Sequence, residues 1–143
     1  MVKTLPDKYI RKAIYTAINN MVVDGYTIPC YDSRVVGQAK DYYVILSTQS
    51  SNVAKDTKCG YKWESNILID IITRYKLSGN TGSRLLADNI ADKVRELTDN
   101  LVLDVASGLT IITQTESMPN DLVSTSDNVI VYRKFIRIEF LIN

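Results

Sequence analysis

The stretch Asn128–Asn143, NVIVYRKFIRIEFLIN, decides how the rest of the chain is read. Its even positions are Ile130, Tyr132, Lys134, Ile136, Ile138, Phe140 and Ile142; its odd positions include Val129, Val131, Arg133, Phe135, Arg137 and Glu139. Successive side chains of an extended chain point to opposite faces, so the even set makes one apolar face broken only by Lys134. The odd face is mixed, with three charges close together. β-Branched and aromatic residues dominate, and neither Gly nor Pro interrupts the run. The pattern predicts one strand of roughly 12 residues or more, where about 5–6 is usual. Such a strand needs other strands beside it and an apolar layer over its even face.

A second long strand is predicted at Tyr61–Tyr75, YKWESNILIDIITRY. Trp63, Ser65, Ile67, Ile69, Ile71, Thr73 and Tyr75 share one face, while Glu64, Asn66, Leu68, Asp70, Ile72 and Arg74 share the other. Both strands therefore carry one apolar and one mixed face. That suits a sheet covered by helices on one side and facing water or a partner on the other.

The helices are read from their spacing. Residues 6–23 place Ile10, Ala13, Ile14, Ala17, Ile18 and Met21 at helical intervals, with Pro6 and Asp7 suited to the first turn. Lys8, Arg11 and Lys12 fall on the opposite side, as a solvated or basic docking face, and Asp24-Gly25 is read as the stop. A second helix, about 83–99, carries the stripe Leu86, Ile90, Val94, Leu97 and Leu101. Shorter strands are predicted at 26–31, where Pro29 belongs on an edge or bulge, at 41–48 and at 109–116. Residues 49–60 and 117–127 are polar and turn-rich and read as loops. The prediction is one domain, 1–143. Its fold class is α+β: a mostly antiparallel sheet of about five strands with two helices on one face, in the order α-β-β-β-α-β-β.

Composition narrows the chemistry. At 143 residues the chain can bury roughly two-thirds of its unfolded surface. A net charge of +1 provides no global field for nucleic acid or an anionic membrane. No apolar run approaches the roughly 18 residues of a membrane span, and the charged start MVKTLPDKYIRKAIY lacks the apolar core of a signal peptide, so the expectation is folding in a reducing cytoplasm. The sequence contains no histidine, which removes the commonest general base and metal ligand. Cys30 and Cys59 read as packed thiols. LSGNTGS at 77–83 lacks the spacing of a phosphate loop. Glu64 and Asp70 with Lys62 could begin a metal-dependent nuclease core, but no further carboxylate–lysine cluster accompanies them. No catalytic residue, cofactor or metal is assigned. The candidate interface residues are Arg133, Arg137 and Glu139 on the last strand and Glu64, Asp70 and Arg74 on the other long strand, either as contacts between subunits or as a channel lining.

The element order, with IRKAIYTAI, VDGYTIPCYDS, DYYVILST and the second-helix run SRLLADNIADKVREL, resembles the tail-terminator or tail-completion proteins of tailed bacteriophages and related head–tail neck rings. Ile28, Pro29, Cys30, Tyr31 and Asp32 match a short motif after the opening helix. Tyr42 to Leu46 match the strand that follows, and Ala87, Ile90, Ala91, Asp92, Val94, Arg95 and Leu97 match the second helix. The resemblance covers nearly the whole chain. Departures are Asp41, near where the strand motif often has a proline, and the polar insert 49–60. It implies a non-enzymatic virion protein, assembled in the host cytoplasm, that forms a homo-oligomeric ring at the neck or tail end. Portal, connector or tail proteins would be its partners, and DNA would pass through its channel without sequence-specific binding. The residues alone leave two alternatives: a small α+β adaptor module and a metal-dependent nuclease.

Overall fold

A computed structural model describes residues 4–38, 40–57, 60–79 and 83–143. Helix α1 spans Asp7–Ile18 and buries Ile10, Ile14 and Ile18. Strands β1 (Met21–Val23) and β2 (Tyr26–Ile28) form a small hairpin, followed by β3 (Cys30–Asp32), β4 (Tyr42–Thr57) and β5 (Gly60–Lys76). Helix α2 (Leu85–Thr98) and a 3₁₀ turn at Val105–Ser107 lead to β6 (Ile111–Ser117), β7 (Leu122–Ser126) and β8 (Val129–Ile142). The main sheet runs β3-β4-β5-β8-β6, and β7 pairs with β8 beyond the end of β6.

The two long strands are its spine. β5 and β8 pair antiparallel from Trp63↔Ile142 to Lys76↔Val129, an unbroken register that puts Ile67 opposite Ile138 and Ile69 opposite Ile136. The odd side of β5 and the even side of β8 face the helices, and these four isoleucines are fully buried there. Lys134, the one charge on that face, is held by Asp88 of α2 at 3.2 Å and by Asp121 at 3.3 Å. Burial works against its charge, and the two hydrogen-bonded carboxylates more than offset this, so its pKa lies above the ordinary lysine range. A core lysine becomes a strap between helix and sheet.

The α+β class, the two helices on one face and the mostly antiparallel sheet agree with the sequence reading, as do β5, β8 and α2 within a residue or two. Five local expectations are corrected. The first helix stops at Ile18, because Asn20 takes a left-handed φ of 60° and Met21–Val23 become a strand. Asp24-Gly25 is a hairpin turn, with φ of 50° and 83°, as a two-residue primed turn requires. The strand expected at 26–31 breaks at Pro29, whose carbonyl accepts a hydrogen bond from Val44, and β3 then pairs parallel to β4.

The largest correction concerns residues 49–60. Residues 49–57 continue β4 through two bulges and remain paired with β5; residues 58 and 59 lie outside the described residues. Polarity misleads here because Gln49, Ser50 and Ser51 find partners elsewhere in the fold. Gln49 donates to the Asp7 carbonyl at 2.9 Å and accepts from Arg11 at 2.7 Å. Ser51 bonds the Asp7 carboxylate and Ser65. Likewise 117–127 is not all loop: β7 occupies 122–126 and turns into β8 through Asp127-Asn128, both at positive φ.

Candidate functional site: the open face of the sheet

Both helices pack against one face of the sheet, so the even side of β5 and the odd side of β8 have no covering layer among the described residues. All six charges singled out from the sequence lie on this open face, and the register fixes their order. At one end Glu64 stands opposite Leu141, and Glu139 opposite Asn66. Arg137 follows opposite Leu68, then Asp70 opposite Phe135, Arg133 opposite Ile72, and Arg74 opposite Val131. From Glu64 to Arg74 the face runs ten residues, about 33 Å.

These charges are of two kinds. Asp70 and Arg133 form a bidentate ion pair, with Arg133 Nε donating to Asp70 Oδ1 at 3.4 Å and Nη2 donating to Oδ2. Asp70 is only 3% exposed, against the expectation of a surface charge, and stands between Ile45 of β4 and Phe135 of β8. Its hydrogen bond pushes the Arg133 guanidinium further up, and that guanidinium also lies 5.3 Å from the Phe135 ring centroid. The pair is internal structure. Glu64, Glu139, Arg137 and Arg74 have no ion-pair partner among the described residues and remain available to something outside the chain.

Between these charges the face is partly apolar. Ile45, Leu68, Phe135, Val131 and Leu141 are half-buried, and Tyr31 meets Tyr43 edge-to-face at 6.0 Å. Half-buried apolar side chains interleaved with unpaired charges give the face a mixed character suited to contact.

Asp70 is committed to Arg133, and no group of three or more His, Cys, Asp or Glu residues among those described could hold a metal ion. Cys30 is buried, and burial together with the nearby Asp32 pushes its thiol up to about 12; Cys59, and residues 80–82 of the glycine-containing turn, lie outside the described residues. At pH 8 a Cys59→Ser chain is therefore expected to react with iodoacetamide on the order of 10³-fold more slowly than a free thiol. Urea unfolding should restore the ordinary rate, and fast native labelling would contradict the buried position. No described helix is long and apolar enough to cross a membrane.

Sequence reasoning did not find how the last strands are secured. Arg95 of α2 reaches Glu116 of β6 at 2.6 Å, and Gln114 donates to the Thr98 carbonyl at 2.7 Å. The only signal was a Glu and a Gln on the inward side of a predicted strand.

No protein-family model matches the chain, and no curated protein matches it. Among solved structures, a chain from the virion of a native gene transfer agent particle has the same fold, with a TM-score of 0.62. The match covers 94% of this chain and 96% of that one, at 17% sequence identity. Nearly every element described above therefore has a counterpart in a protein of similar length.

Proposed function

We propose that this protein is a structural component of a phage-type virion, and that it forms a ring at the neck or tail end that joins head or portal to tail and leaves a channel for DNA. The observation that carries this reading is the end-to-end likeness to a chain of a gene transfer agent virion. The open face supports it: a chain whose sheet lacks a second layer, with four unpaired charges around a half-apolar centre, is built to meet something else. Chemistry is not its task on this reading, and portal, connector or tail proteins are its partners. A net charge of +1 would leave DNA passing the ring few neutralised phosphates, so it would not be gripped.

Arg74, Arg137, Glu64 and Glu139 are the proposed contact residues of the face, while Asp70 and Arg133 keep it in shape. Charge reversal at Arg137 tests this. Arg137→Glu is expected to leave the unfolding free energy within about 0.5 kcal/mol, as for a surface charge with no ion-pair partner. It should nevertheless weaken assembly, or binding to tail or portal proteins, by roughly tenfold, measured by sedimentation of variant and wild type. Unchanged assembly and binding would remove Arg137 from the contact surface.

A further inference from the structure

The sheet has two bare edges, and their geometry says what can cover them. Among the described residues, β3 shields β4 only at Val44–Leu46, and β4 is unpaired along its outer edge from there to Thr57. On the other side, β6 and β7 have no outer neighbour among the described residues. Natural proteins protect such edges with lysine, proline or a covering loop. Here Thr48–Ala54, TQSSNVA, and Leu122–Ser126, LVSTS, contain neither a charge nor a proline, and the charges of the bare β4 stretch and of β6 and β7 are confined to Lys55, Asp56 and Glu116. All five residues of β7 are exposed, including Leu122 at 51% and Val123 at 44%, and Val53 on the opposite edge is 45% exposed.

Strand directions make the two edges complementary. β4, β5, β8 and β6 alternate in direction, so β6 of one copy runs antiparallel to β4 of a copy placed beside it. The same holds for β7 against β3, because β3 is parallel to β4 and β7 antiparallel to β8. The bare part of β4 at Gln49–Val53 pairs with 67–63 of β5, those with 138–142 of β8, and those in turn with β6. With copies level, β6 faces β4, but β7, at 129–133 of β8, falls short of β3, at the level of 134–136; an offset of about four residues along the strands brings β7 beside β3 and β6 beside Asn52–Thr57.

Pairing parity then fixes which groups point out. The two-residue turn at Asp127-Asn128 makes Ser126↔Val129 a hydrogen-bonded pair, so Val123 and Thr125 turn their N–H and C=O groups away from β8. Thr110 and Asn143 exchange both bonds, which by the same alternation directs Gln114 and Glu116 outward from β6. On β4, the bond from Val44 to Pro29 and that from Ser33 to the Leu46 carbonyl mark the outward positions, and alternation through the pairing with β5 adds Gln49, Ser51 and Val53.

We infer that the β6–β7 edge of one copy pairs antiparallel with the β4–β3 edge of the next, so that the copies share one continuous sheet. This inference rests on the ring reading and deepens it. A second copy supplies both edges at once, and a closed head-to-tail ring leaves no edge bare.

The test is assembly of the wild type beside two edge variants, Val123→Pro/Thr125→Pro and Val53→Pro, which remove outward donors without touching the ladder inside the chain. Native mass spectrometry over a concentration series reads the assembly, and thermal unfolding confirms that each variant folds. Each variant is expected to raise the dissociation constant of the assembly roughly tenfold or more. Wild-type amide exchange supplies a reading that needs no variant: Val123 and Thr125 should be protected in the assembled state and exchange freely in the monomer. Rings that form equally well from both variants, or that leave these amides unprotected, overturn edge pairing and leave the ring reading standing. A wild type that never assembles overturns both.

Discussion

Ile138→Ala is expected to lower the unfolding free energy by about 3–4 kcal/mol. Ile138 is fully buried and faces the helices from β8, opposite the equally buried Ile67 on β5. Both strands are paired on either side, β5 by β4 and β8 by β6, so the backbone cannot collapse into the space left by the removed methyl and methylene groups. The cost then includes the cavity as well as the lost transfer of the side chain out of water. Leu68→Ala, on the open face and half-buried, provides the contrast and should cost roughly 1 kcal/mol. Urea unfolding of the two variants checks the sidedness of the sheet. Equal losses would mean that the open face is packed as tightly as the helical one, contrary to the fold described.

Arg133→Met is expected to cost about 2–3 kcal/mol. The variant leaves the Asp70 carboxylate, 3% exposed, without its bidentate partner in a setting where water reaches it poorly. A fully buried pair broken on one side loses about 3–5 kcal/mol; the Arg133 side chain is 42% exposed, and solvent at that end reduces the figure. The companion Asp70→Leu/Arg133→Met is the decisive one. Replacing both partners removes the stranded charge, and its stability is expected to return to within about 1 kcal/mol of wild type. A double variant less stable than Arg133→Met would show that the pair itself, and not the stranded carboxylate, carries the energy.

The parts of the fold that were legible in the sequence are those where one physical signal dominates. Alternation in β5 and β8 fixed both faces, because fully buried isoleucines at every second position admit no other arrangement. The α2 stripe was equally unambiguous. The misread segments are those where polarity and periodicity conflict. Gln49, Ser50 and Ser51 look like a loop until Asp7, Arg11, Asn66 and Ser65 are brought within reach by the fold, since hydrogen bonding across 14 to 44 residues leaves no local trace. Met21 continues the helical stripe of α1 in register, and only the left-handed Asn20 diverts it into a strand. In β7, the Ser and Thr content hid a hairpin that Asp127-Asn128 could have signalled, as a two-residue turn between β-forming runs.

The candidate face shows the same division. That Glu64, Asp70, Arg74, Arg133, Arg137 and Glu139 share one side followed from period two. Which of them pair internally depended on register: a shift of one residue would have separated Asp70 from Arg133 and sent both to other neighbours. The bare edges were invisible for a simpler reason. An edge is defined by the absence of a neighbouring strand, and strand order is a property of the whole sheet.

The most direct measurement is native mass spectrometry of the purified protein across a wide concentration range, with electron micrographs of the same sample. The expected result is a single closed stoichiometry above a threshold concentration, seen as rings with an open centre. A monomer at every concentration, or a compact dimer without a channel, would contradict the proposed role in the virion.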